Sequence, residues 1–187
     1  MKGAVPNLAA VSASRSVTNL DVSRTRGMWI RWAVLAVLAA GCAGDENAAI
    51  EDEASTYRTF HEVNAHSFQT AQHQGNPDVN VWTNELATSP YRMLSSGAAP
   101  DPEFSVGAMI VKEMLDEAGA PAILTVMAKQ SPGFDPGNRD WWYGRLEVDG
   151  TATSGKFVGK VSFCIACHAG AGSGGFVFGV ASDNLAP

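Results

Sequence analysis

Apolar and polar residues change places at short intervals over the second half of the chain, and those intervals set the elements. Val106–Leu115 (VGAMIVKEML) and Pro121–Gln130 (PAILTVMAKQ) are apolar runs on either side of the turn DEAGA, which predicts an antiparallel hairpin. Asp140–Asp149 (DWWYGRLEVD), rich in aromatic residues and ended by Gly150, predicts a third strand. The Pro/Gly-rich loop Ser131–Asn138 (SPGFDPGN) joins it to the second. Further back, Val79–Glu85 (VNVWTNE) reads as a short strand and Ser95–Glu103 (SSGAAPDPE) as a loop. A helical rhythm occurs in Glu53–Gln74, where Tyr57, Phe60, Val63, Phe68 and Ala71 recur at three to five residues. That helix would carry His66 and His73 on one face, as a metal pair or as two solvated edge residues.

The N-terminal region follows a different pattern. Trp32–Gly41 (WAVLAVLAAG) carries no charge, Arg24, Arg26 and Arg31 precede it, and Cys42 closes it. A basic segment, an apolar run of about ten residues and small residues at its end make a secretory signal. The run is short of the roughly 20 residues needed to cross a bilayer. LAAGC resembles a bacterial lipobox, in which the cysteine becomes the lipid-modified first residue of the mature chain. Residues 1–41 are therefore expected to be a lipoprotein-type signal peptide, with Cys42 the lipid attachment site. The alternative is ordinary cleavage near Gly41, leaving Cys42 as a free thiol. Met28 would be the more usual start of such a signal. Residues 42–52 (CAGDENAAIED) read as an acidic tether, and 53–187 as one domain. The expected location is across the inner membrane, anchored by lipid and facing the periplasm.

This division sharpens the charge. Residues 1–41 hold five of the 13 Lys+Arg and one of the 19 Asp+Glu, which leaves eight basic and eighteen acidic residues, or −10. Such a surface excludes nucleic acid as a partner. It suits a basic redox partner, without naming one.

The chemistry lies in Ser162–His168 (SFCIACH). Cys-x-x-Cys-His is the attachment signature of c-type haem. A chain of this composition contains it by chance about once in a thousand cases. Two thioethers, from Cys164 and Cys167, fix one haem edge, and His168 is placed to become the proximal iron ligand. A redox Cys-x-x-Cys or half of a zinc site are the alternatives. Zinc needs further ligands at matching spacing, and His61, His66 and His73 lie about 90 or more positions upstream. One covalent haem c is the expected cofactor. The glycines of Ala169–Gly175 (AGAGSGG) lack the strand–loop–helix context of a phosphate cradle.

The 19 residues after His168 contain neither Met nor His, so a small helical cytochrome with a distal Met is excluded. A four-helix cytochrome needs long helices where residues 95–163 read as loop and sheet. What remains is an α+β protein whose antiparallel β-sheet builds the haem pocket and whose C-terminal segment binds the haem.

VGAMIVKEM, SPGFDPGNRDWWYG, GKVSFCIACHAGAG and FVF, in that order, resemble the cytochrome P-460 and cytochrome c′-beta family over roughly Pro100 to Val180. The resemblance implies an antiparallel sheet with flanking helices and one c-type haem with a His proximal ligand; members often form homodimers. Two functions occur in the family. Cytochromes P-460 oxidise hydroxylamine with a haem cross-linked to a lysine. The c′-beta members lack the cross-link and bind gases such as nitric oxide. The expected function is thus a periplasm-facing mono-haem cytochrome that binds a small nitrogen ligand or exchanges electrons, with hydroxylamine oxidation as the alternative. Many relatives carry an Asp-Tyr pair before the final VF. Gly175 and Phe176 stand there in this chain, which weighs against the enzymatic branch.

Lys112 is the cross-link candidate. On strand alternation it shares a face with Val106, Ala108, Ile110 and Met114, whereas Glu113 shares the other with Met109, Val111 and Leu115. Both faces are largely apolar, so one of the two charges points inward, where it costs free energy unless paired or used. Either Lys112 meets the haem or Glu113 serves as a distal base. The plainer alternative is that Lys112 snorkels to Glu113 or Asp116. Lys129 is a second lysine candidate, and Met109, Met114 and Met127 could offer a thioether to the iron. Trp141, Trp142, Tyr143, Phe176 and Phe178 are core residues or haem contacts.

Overall fold

Lys112 and Glu113 sit midway along the strand that organises the sheet, and that strand has a covered face on each side. The computed structural model describes residues 43–187 apart from 71, 72, 74 and 76, with the side chains of 43–45 and 173 also left undescribed. The expected signal peptide 1–41 and the lipid attachment at Cys42 lie outside the described residues.

The fold is α+β. Its elements are α1 (Ala43–Ser55), β1 (His61–Glu62), β2 (Phe68–Gln69), β3 (Asp78–Thr83), α2 (Glu85–Ser95), β4 (Met109–Leu115), β5 (Pro121–Lys129), β6 (Trp141–Leu146), β7 (Val158–Gly159) and α3 (Ser162–His168). Among the described residues seven strands form one antiparallel sheet in the order β1-β3-β4-β5-β6-β7, with β2 also paired to β3. The expected hairpin forms as β4 and β5, the aromatic run becomes β6, and VNVWTNE supplies β3.

Alternation sends side chains of these strands into two cores. Ala108, Ile110, Met127, Trp141 and Tyr143 face one side, which α2 and the segment after Val161 cover. Met109, Val111, Leu124, Val126, Trp142 and Leu146 face the other, beneath Ile50 and Ala54 of α1. Covering both faces is why these strands read as nearly continuous apolar runs.

Two expectations from the N-terminal half are overturned. The acidic tether 42–52 is instead largely helical, within α1. Its Ala- and Glu-rich sequence favours a helix, and burying Ile50 and Ala54 on the sheet anchors it. Trp142 Nε1 donates to Asn47 Oδ1 at 2.7 Å. Gly150 lets α1 approach closely: a Cβ there would stand 2.6 Å from Ser55 Cβ and 2.7 Å from the Glu51 carbonyl oxygen.

The helix expected over Glu53–Gln74 stops at Ser55. Beyond it, β1 and β2 pair with β3, matching His61 to Thr83 and Phe68 to Val79. Asn64 Oδ1 accepts the Val81 N–H at 2.6 Å. Tertiary strand pairing outweighs a fortuitous three-to-five spacing. Helix α2 was not foreseen, since Pro90 stands inside it and removes one backbone donor. Its start is firm: Asn84 caps it by accepting from Ala87 N at 3.2 Å and holds the β4 entry by accepting from Met109 N at 2.9 Å.

Candidate functional site

The short helix α3 puts Cys164 and Cys167 three residues apart, hence on one side, with His168 following directly. Cys164 is half-buried and Cys167 exposed, and both are free thiols. Burial, followed by the neighbouring Cys167, pushes the Cys164 thiol up to about 11. A redox dithiol needs the opposite shift, toward thiolate at neutral pH. Among the described residues no cluster of three or more His, Cys, Asp and Glu side chains could hold a metal ion. The redox and zinc alternatives therefore find no support in this geometry.

His168 is held on three sides. Its ring lies between Tyr143, 5.1 Å between centroids, and Phe178, 5.4 Å. Its Nδ1 is 2.7 Å from the Phe176 carbonyl oxygen. A carbonyl can only accept, so Nδ1 carries the hydrogen and Nε2 keeps its lone pair. Burial is the main cause holding the imidazole down at about 4; the Phe176 contact opposes it and the Lys112 charge adds to it. The ring is thus neutral at pH 7, with one nitrogen free to coordinate.

The acceptor is itself braced. Gly175 and Phe176 both take positive φ, 66° in each case, which is uncommon for a phenylalanine. Trp141 Nε1 donates to the Gly175 carbonyl at 2.9 Å. Arg139 lies over the Phe176 ring at 5.9 Å and grips Asp101 with two bonds, at 2.6 and 2.9 Å. The loop before β6 therefore works at one remove: it fixes the backbone that fixes the histidine.

In front of α3 opens a partly enclosed cleft of about 110 Å³. Ile110, Met127, Tyr143, Val177 and Phe178 give it apolar walls, and Cys164, Cys167 and His168 line one side. Tyr91 also lines it and donates to the Phe178 carbonyl at 3.1 Å.

Lys112 enters this cleft, and Glu113 does not. Burial lowers the Lys112 amine to about 8, against a smaller raising effect from Cys167. The expected pairing to Glu113 or Asp116 is absent: Asp116 Oδ1 accepts instead from Ala118 and Ala120 N–H. Glu113 is buried on the opposite face of the sheet, where it accepts from Tyr57 Oη, Arg58 Nη2 and Asn80 Nδ2. A distal-base role for Glu113 is thereby overturned, because strand alternation turns it away from His168.

The other candidates divide in the same way. Met127 lines the cleft, whereas Met109 belongs to the opposite core. Met114 is buried but does not line the cleft. Lys129 lies outside the cleft, with its Nζ donating to the Arg139 carbonyl and facing Trp141. Tyr143 and Phe178 reach the cleft; Trp141 lies beside Phe104 in the core, and Trp142 lies on the far side. The expected helical pairing of His66 and His73 does not form. His66 binds Asn184 through its backbone, and His73 lines the cleft, held neutral near 4 mainly by burial. Arg145 and Thr125 also line it. Sequence reasoning missed both, although the alternation that placed Lys112 would have placed them once the strand register was known.

No protein-family model matches the chain, and no curated protein matches it.

Proposed function

We propose that the cleft holds one covalent haem c and that the protein is a mono-haem cytochrome whose iron binds a small nitrogen ligand such as nitric oxide or exchanges electrons. The observation that carries this reading is the hydrogen bond from His168 Nδ1 to the Phe176 carbonyl. Metal-ligating histidines are commonly held by such a bond through the nitrogen that does not ligate. The fit extends to the surroundings: two free thiols at the required spacing beside the imidazole, and a largely apolar cleft that opens in front of them.

Cys164 and Cys167 would each add across a vinyl group, the S–H hydrogen passing to the vinyl carbon, with no net oxidation. His168 would supply the proximal nitrogen. The haem iron would contribute one-electron chemistry and an affinity for diatomic ligands. Tyr143 and Phe178 set the plane of the imidazole, and the apolar walls keep water from that region.

A second reading, hydroxylamine oxidation with a lysine-linked haem, is favoured by the entry of Lys112 into the same cleft. The oxidation would deliver electrons to a redox partner protein.

The test is expression in a periplasmic host with haem-attachment machinery, followed by a haem-staining denaturing gel and the reduced optical spectrum. The expected result is covalent haem with a high-spin c-type spectrum and rapid nitric oxide binding by the ferrous protein. A strongly red-shifted Soret band would move the weight to hydroxylamine oxidation, and a sharp low-spin spectrum to electron transfer alone. A chain without covalent haem would refute the whole reading.

A further inference from the structure

The register of the three central strands lays two rows of side chains across the cleft. Ile110, Met127 and Tyr143 stand side by side, and two residues along each strand Lys112, Thr125 and Arg145 do the same. All six line the cleft. Strands lie about 4.8 Å apart, so the Lys112 and Arg145 backbones are about 10 Å apart with Thr125 between them. At about 3.4 Å per residue the polar row runs about 7 Å from the apolar one.

Nothing negative answers these cations. No Asp or Glu lines the cleft among the described residues. The ion pairs among the described residues involve Arg58, His61 and Arg139, none of which lines the cleft. A half-buried ammonium and guanidinium facing one space, without a carboxylate, are costly unless that space receives an anion. The Thr125 hydroxyl between them adds a donor on the same wall of the cleft. His73 borders the same space and feels both charges.

We propose that Lys112, Thr125 and Arg145 form an oxyanion site in the cleft. The chemistry is that of a carboxylate or a nitrite-like anion held by two cations and a hydroxyl. It has two sources: a propionate of the haem, which rests on the reading above, or a free small oxyanion, for which nitrite is the probe.

The experiment compares the periplasmically made protein with Lys112→Gln, Arg145→Gln and the double variant, with Arg145→Lys as a charge-keeping control. The haem-propionate bending band is read by resonance Raman, and the nitrite Kd by calorimetry. If a propionate fills the site, the band shifts in the Gln variants and returns in Arg145→Lys, while the nitrite Kd stays put. If a free oxyanion fills it, the band is constant and the nitrite Kd rises at least tenfold for each charge removed. Attached haem with neither change overturns the oxyanion site and leaves the haem reading intact. If the gel shows no covalent haem, that reading falls, and nitrite calorimetry on the same protein decides. Binding that is lost in the double variant supports the row, and an absence of binding overturns it.

Discussion

Lys112 is the residue at which stability and use diverge. Its amine titrates near 8 in the folded chain against 10.5 in an unfolded one, chiefly because it is buried. Between those values the unfolded chain binds the proton and the folded chain does not, so stability rises with pH from about 8 to 10.5. Below 8 the lysine is charged in both states and its desolvation cost is fully felt. In haem-free protein, Lys112→Met should therefore raise unfolding free energy at pH 7 by about 1–3 kcal/mol. It should also abolish the rise toward pH 10.5. Urea titrations at pH 7, 9 and 10.5 read both effects, and an unchanged pH profile would show that the amine is not buried in solution.

Among the elements, β4 sorts two neighbouring charges to opposite tasks. Glu113→Ala leaves the Tyr57 hydroxyl and the Asn80 amide without their acceptor, and should cost about 2–4 kcal/mol in urea unfolding. If the proposed haem is bound, its optical spectrum should be unchanged by this substitution; a spectral shift would bring Glu113 back toward the proposed iron site. Helix α1 offers a second test at this level. Gly150 takes a φ of +90° and leaves no space for a Cβ against Glu51 and Ser55. Gly150→Ala should destabilise the protein by about 1–3 kcal/mol and expose the chain near residue 55 to limited proteolysis. Equal protection of both proteins would mean that α1 does not dock there.

The sequence made β3 to β6 legible because their apolar runs are bounded by turn residues. It also made the face of Lys112 legible, because alternation needs no partner. It could not give α1, whose acidic composition matches a tether until Trp142 and Gly150 provide something to dock against. Nor could it give β1 and β2, strands of two residues that exist only as partners of β3. The brace on His168 was equally hidden. It depends on a carbonyl, and carbonyls carry no residue identity.

The whole molecule is acidic, with a formal charge of −6 over 187 residues. A surface of that sign attracts cations and repels anions over roughly a Debye length. On the haem reading, reduction by a cationic mediator should outpace reduction by an anionic one of equal potential, and the gap should narrow as salt is raised from about 10 to 500 mM. Stopped-flow rates at several ionic strengths decide it. Rates independent of salt would mean that the net charge does not steer electron entry.

Every strand of the sheet precedes Cys164 in the chain. During synthesis the strand residues that line the cleft thus exist before Cys164, Cys167 and His168, and before Val177 and Phe178, which complete its walls. Within the lifetime of each molecule the cradle is older than the knot. A haem could be seated before it is bonded, and the apolar row of Ile110, Met127 and Tyr143 would choose its pose before any thiol arrived. A chain halted before α3 would have all its strands, one face covered by α2 alone, and nothing with which to hold what it had received.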